Sequence, residues 1–226
     1  MPKKKKKPKT KKKSYKIKKK KRSSKRKKVR TKKKVSKNNP WDKADLSRKI
    51  LSDVNFADRD GWIFMDGQML PWRDAKVHVL THTLHYGLGV FEGVRAYKTP
   101  TGTSIFRLKE HTNRLFESAH ILGLTFPFTK EELNEAQVQV FLRNDLEEGY
   151  LRPMVFLGSE AMGIRAKDLT VHVSIAAWPW PDYMDPDSRE KGIKVRTSSY
   201  TRHHVNITMC KAKSNGNYTN SILALH

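Results

Sequence analysis

The sequence predicts a mixed fold, α+β or α/β, behind a long unstructured leader. Three observations carry this. Positive charge is concentrated at one end: residues 1–40 hold 24 of the 47 Lys and Arg and no Asp or Glu, and the remainder is close to neutral. Short apolar runs with period-two alternation recur near 62–70, 90–97, 149–158 and 169–178, the pattern of strands. Between them lie two stretches with helical periodicity, near 109–124 and 129–145.

The leader is low in complexity, with lysine runs at 3–7, 11–13, 18–21 and 32–34. Like charges repel and there is nothing to bury, so residues 1–40 are expected to be disordered. Two readings stand: nonspecific binding to nucleic acid through counterion release, with a nuclear or nucleolar address as a variant, or a solvated appendage. Tyr15 is the leader's one aromatic residue, which gives base stacking no support. The near-neutral body argues against a basic, nucleic-acid-binding fold. Cys210 is the only cysteine, so no intrachain disulfide can form and a reducing compartment is expected. No apolar run reaches the ~18 residues a membrane span needs. No apolar segment follows the N-terminal charges, as a secretory signal requires.

Residues 41–60 read as a linker with a short helix around 45–51, and order is expected to begin near Trp62. Trp62–Met65 and Gln68–Leu70, joined by Asp66-Gly67, read as a hairpin with a type I′ turn. His78, His82 and His85 are spaced by four and three. No carboxylate or cysteine completes a metal set at similar spacing, so structural histidines are the expectation and no metal is assigned. Gly87 and Gly89 stop any helix there. A strand over 90–97 puts Phe91, Gly93, Arg95 and Tyr97 on one face, and a glycine inside a strand marks a close approach. Ile105–Leu108 reads as a short strand. The first long helix carries Leu108, Leu115, Ala119 and Leu122 on one stripe, and Thr129 with Glu132 forms a capping box for the second. In the strand over 149–158, Tyr150 and Arg152 share a face, and an arginine in an apolar strand is costly unless it is paired or faces a cavity. A strand is also expected at 193–199.

The segment from Cys210 to Ile222 reads as a turn leading into a helix, with Asn217 or Thr219 as the N-cap. Lys211 and Lys213 lie in that turn. A lysine held there and desolvated loses its proton and attacks carbonyl carbon, the basis of a Schiff base. Read alone, the segment better suits a solvated lysine in a polar loop.

The block His85-Tyr86-Gly87 through Phe91-Glu92-Gly93-Val94-Arg95-Ala96-Tyr97 resembles the branched-chain aminotransferases, class IV pyridoxal phosphate enzymes of fold type IV. The resemblance runs from Trp62 to His226 and implies a role for each matching residue. Lys213, four residues before the Asn of Gly216-Asn217-Tyr218, matches the Schiff-base lysine, with Lys211 the fallback. Arg114, in Glu110-His111-Thr112-Asn113-Arg114-Leu115, matches the arginine that holds the cofactor phosphate, and Tyr218 a tyrosine near the cofactor. Tyr86, Phe91, Gly93 and Arg95 fall in the substrate-side block. Tyr150 and Arg152 match the pair that recognises a distal carboxylate, and Trp180 and Tyr183 match aromatics lining the pocket. Asn215 departs from the glycine common in bacterial members.

The resemblance further implies pyridoxal 5′-phosphate as cofactor, and amino transfer from leucine, isoleucine or valine to 2-oxoglutarate. It implies a homo-oligomer and a cytoplasmic protein, mitochondrial or plastid in a eukaryote. A small N-terminal domain is expected over 61–180, with an interdomain segment and the start of a cofactor-binding domain over 181–226. That second domain continues well beyond the lysine in the family, so the chain is expected to be incomplete and inactive as it stands. D-amino-acid aminotransferase and aminodeoxychorismate lyase share the fold and remain alternatives, as does a nucleic-acid-binding protein acting through its leader.

Overall fold

In a computed structural model, residues 55–180 and 186–225 are described. The leader, the helix expected around 45–51 and Tyr183 lie outside them. The described chain starts at Asn55, ahead of the expected onset at Trp62, and its elements belong to one unit, Leu51–His226.

Strands β1 (Trp62–Met65) and β2 (Gln68–Pro71) pair as the expected hairpin, with Met65 opposite Gln68. Asp66 and Gly67 both have positive φ, 50° and 90°, as a two-residue turn of this hand demands. Asp66 also ties the turn to the sheet, its carboxylate accepting from the Val173 N–H at 2.8 Å and lying 2.7 Å from His172 Nδ1. Helix α1 (His82–Tyr86) is short and ends on Gly87, whose φ of 70° makes it a left-handed cap. The three histidines bond backbone groups: His78 Nδ1 accepts from Leu80 N–H, His82 Nε2 contacts Gly163 O and His85 Nε2 contacts Val79 O.

The strand expected over 90–97 is split into β3 (Gly89–Phe91) and β4 (Val94–Thr99). Both pair antiparallel with β6 (Gly149–Leu157) in one register, Phe91 opposite Met154 and Val94 opposite Leu151. The break falls beside Pro153. The Glu92 N–H donates to Pro153 O at 2.9 Å, but proline has no N–H to return the bond. Strand β5 is Gly102–Ile105, earlier than expected, because the β4–β5 hairpin closes at Thr99 opposite Gly102. The sheet runs β2-β1-β7-β6-β4-β5, with β7 (Val171–Trp178) central and β3 also on β6.

Helices α2 (Leu108–Ile121) and α3 (Lys130–Arg143) cover one face. Thr129 and Glu132 form the expected capping box, each side chain taking the other's backbone N–H. Val90, Val94, Leu151, Val155, Val173 and Ile175 meet Leu115, Leu133 and Val140 in the core. Each such side chain removed from water contributes about 1.5–3 kcal/mol. Alternation then sends Phe91, Arg95, Tyr150, Arg152, Met154 and Trp178 to the opposite face.

The strand expected at 193–199 does not form. Ile193 and Val195 are exposed, and the segment pairs with no strand among the described residues. After helix α4 (Pro186–Lys191), a 3-10 turn, Asn215–Tyr218, leads into α5 (Thr219–Leu223). No side chain caps α5; Tyr218 holds the N-cap position rather than Asn217 or Thr219.

Candidate active site

The Lys213 segment lies along the free edge of β3. The Lys213 N–H donates to Ser118 Oγ on α2 at 3.0 Å, and the Lys213 carbonyl accepts from the Phe91 N–H at 3.1 Å. Ser214 bridges Val90, and the Gly216 N–H donates to Gly87 O at 3.2 Å. Ala212 is buried, whereas Lys211 is exposed. The backbone is therefore fixed on both sides of Lys213, whose half-buried side chain turns inward and donates to Tyr218 Oη at 2.6 Å. Its Nζ lies 4.7 Å from the centroid of the Phe91 ring.

Arg152 approaches the same ring. Its guanidinium is 4.7 Å from the Phe91 centroid and 5.2 Å from that of Tyr150, and Nη2 donates to Tyr150 Oη at 3.1 Å. Phe91, Tyr150, Arg152, Met154, Lys213, Asn215 and Tyr218 line one open cavity of about 470 Å³. Two buried polar atoms of that lining, Arg152 Nε and Asn215 Oδ1, have no hydrogen-bond partner among the described residues. Buried polar groups are normally satisfied, so an orphaned donor and an orphaned acceptor in one cavity point to a polar occupant.

Other residues singled out from the sequence stand around this cavity rather than in its wall. A Cβ on Gly93 would overlap Tyr150 Oη, so the glycine makes room for the phenol. Arg95 Nη2 donates to Trp180 O at 3.2 Å. The Trp180 ring packs on Tyr150 at 5.4 Å, one ring removed from the lining. Tyr86 is not brought in; its ring lies tilted against His82 at 4.4 Å and is exposed, at the last residue of α1 before the chain turns at Gly87.

The resemblance has Arg114 offering a phosphate a paired edge of its guanidinium. That edge is taken. Nε and Nη2 donate to the two oxygens of Glu92 at 2.5 and 2.7 Å, and Arg114 lines a separate cavity with Phe106, Arg107, Glu110 and His111. Glu92 is fully buried and also accepts from the Gly93 N–H, with His111 Nδ1 3.0 Å away. Burial pushes its carboxyl up, but the bonds from Arg114 and His111 outweigh this and hold it below the usual carboxylate range. The hydrogen bond to Glu92 raises Arg114 in turn.

Sequence reasoning overlooks Glu92, although the alternation that points Val90 and Val94 inward does the same to Glu92, and a carboxylate at a core position needs a cation. Asn215 stands out in the sequence only as a departure from glycine. Ser118 gives no signal in sequence, since its role depends on a chain segment 95 residues away.

Comparison with known proteins identifies the family. A family model described as Amino-transferase class IV matches residues 89–226. A branched-chain-amino-acid aminotransferase of Pseudomonas aeruginosa is 62% identical over 172 residues, 76% of this chain and 56% of that protein. The T.th. branched-chain amino acid aminotransferase complexed with N-(5′-phosphopyridoxyl)-L-glutamate superposes with a TM-score of 0.68 at 43% identity, covering 74% of this chain and 54% of that one. The same enzyme with 4-methylvaleric acid gives 0.67 at 43% identity, with the same coverage. The chain spans about half the length of the curated relatives it matches. With most of its described residues inside the matched region and its fold shared, the chain belongs to the class IV aminotransferase family.

Proposed function

We propose that the protein is a pyridoxal 5′-phosphate-dependent branched-chain amino acid aminotransferase, passing the amino group of leucine, isoleucine or valine to 2-oxoglutarate. The observation that carries this is the convergence of the Lys213 amine and the Arg152 guanidinium on one cavity across the Phe91 ring.

The residues present fit the cofactor. The cavity carries an amine on a fixed backbone, a phenol 2.6 Å from it and an orphaned amide oxygen on Asn215. Lys213 would hold the cofactor and Tyr218 would flank it; Arg114, which lines a separate cavity, would reach its phosphate only through Nη1, the other edge being engaged by Glu92. When bound, the cofactor supplies an aldehyde for the lysine and a ring that takes up electrons as the amino acid loses its α-proton.

The chain's own residues do the rest. Lys213 Nζ would act as general base and then acid, taking the proton from the substrate α-carbon and passing it to the cofactor carbon that keeps the amino nitrogen, not back to the α-carbon. Tyr218 Oη orients that amine through their hydrogen bond. Arg152, with Tyr150 Oη fixed to it, binds carboxylate, since charge-assisted bonds of this kind are strong in a desolvated site. Phe91, Met154 and the Tyr150 ring offer apolar area to an aliphatic side chain at about 25 cal/mol per Å² buried. One cavity can thus accept both a branched side chain and a distal carboxylate. The complexes of the T.th. enzyme with a glutamate adduct and with 4-methylvaleric acid support this pairing.

The test is a substrate panel on the protein that contains these 226 residues. Glutamate forms from 2-oxoglutarate with leucine, isoleucine and valine. Turnover confined to D-alanine or aminodeoxychorismate would overturn the reading.

A further inference from the structure

The Asn55–Gly61 strap precedes the β1–β2 hairpin and has no part in the chemistry above, yet it is firmly held. Trp72 Nε1 donates to Phe56 O at 2.5 Å, and the Trp72 N–H to Gly61 O at 2.9 Å. Arg73 bonds Asp58 at 2.5 Å and Asp60 at 2.6 Å. The Arg59 guanidinium lies 5.2 Å from the Phe56 ring centroid and 5.7 Å from that of Trp72. Exposed ion pairs contribute little, but the indole bond and the stacked cation fix where the Phe56 ring goes.

That ring meets Trp178 edge-on at 5.5 Å and Trp180 at 6.2 Å. Both indoles pack on Tyr150, at 5.3 and 5.4 Å, and Tyr150 Oη accepts the hydrogen bond from Arg152. A continuous line of rings therefore joins the strap to the cation of the cavity. Trp180 lies two residues beyond the end of β7, its carbonyl accepting from Arg95 Nη2, and its ring packs against Tyr150, Trp178 and Phe56.

We propose that the strap is a positioning element of the carboxylate subsite: Phe56 braces Trp178 and Trp180, which hold Tyr150 in place against Arg152. The proposal rests on the reading of the Lys213–Arg152 cavity as the substrate site. Its physical basis is preorganisation. A wall held before the ligand arrives spares the ligand the cost of ordering it, and offset or edge-on ring pairs favour the arrangement beyond simple area burial.

The test uses the 226-residue chain labelled with 5-fluorotryptophan, its Trp178 and Trp180 resonances assigned by single Trp→Phe changes, and titrated with 2-oxoglutarate, whose distal carboxylate the subsite would take. Phe56 is 46% exposed but packs on two indoles, so Phe56→Ala should lower the melting temperature by only about 2–6 °C and leave the fold intact. It should move the Trp180 resonance and weaken binding by about two- to tenfold, the loss expected for an aromatic pair. Phe56→Tyr keeps the ring and should retain both. Trp72→Phe, which removes the donor to Phe56 O, should shift the Trp180 resonance in the same direction. Wild-type binding with equal affinity in Phe56→Ala overturns the strap's role alone. No binding by the wild-type chain removes the reading of the cavity, and this proposal with it.

Discussion

Gly93 and Tyr150 compete for the same space: the phenol fills the place where any side chain at 93 would begin. The Tyr150 ring can give way only by disturbing its packing on Trp178 and Trp180. Gly93→Ala is therefore expected to push the phenol aside and break its 3.1 Å bond with Arg152. Binding of 2-oxoglutarate, through its distal carboxylate, should weaken about tenfold, the loss expected for a hydrogen bond to a charged group. Calorimetric titration checks this, and unchanged affinity would contradict it.

The Glu92–Arg114 pair makes a prediction about pH. Glu92 sits in the folded protein below its ordinary value of 4.5. A carboxyl lowered by folding stabilises the fold above its unfolded value, and that contribution is lost as the pH falls through the folded value. Glu92→Gln should cost about 2 kcal/mol near neutral pH, where it leaves the Arg114 guanidinium without its counter-charge. The gap from wild type should then narrow on acidification below about pH 4.5. Urea unfolding at pH 7 and at pH 3 measures it, and a gap of constant size would contradict the assignment.

Thr129 offers a test of the fold apart from the site. Its hydroxyl takes the Glu132 N–H at 3.2 Å, and its own N–H donates to Glu132 Oε2 at 2.7 Å. Thr129→Ala should destabilise the protein by about 1 kcal/mol. Thermal unfolding reads this directly, with Thr129→Ser expected to recover most of the loss.

Much of this architecture is legible in the sequence because it is specified locally. Asp66-Gly67 names its turn, Thr129 and Glu132 name a helix start, and period-two alternation places Phe91, Arg95, Tyr150 and Arg152 on one face. What fails is what depends on distant partners. The break between β3 and β4 is set by Pro153, more than fifty residues on, and Ile193–Ser199 has strand-like residues but pairs with no strand among the described residues. Arg114 carries the same lesson. Its residue type suits phosphate, yet which edge of it is free depends on Glu92, across the sheet–helix interface. The Phe56 strap sits in a stretch that reads as linker because its ordering comes from Trp72, Trp178 and Trp180.

The most direct test concerns the amine that faces Tyr218. The chain is incubated with less than one equivalent of pyridoxal 5′-phosphate, reduced with borohydride and mapped by peptide mass spectrometry. Phosphopyridoxyl label should concentrate on Lys213, and Lys213→Ala should lose both that label and the visible absorbance acquired on binding. Label on Lys211, or spread over the leader lysines with no excess at Lys213, would contradict the account.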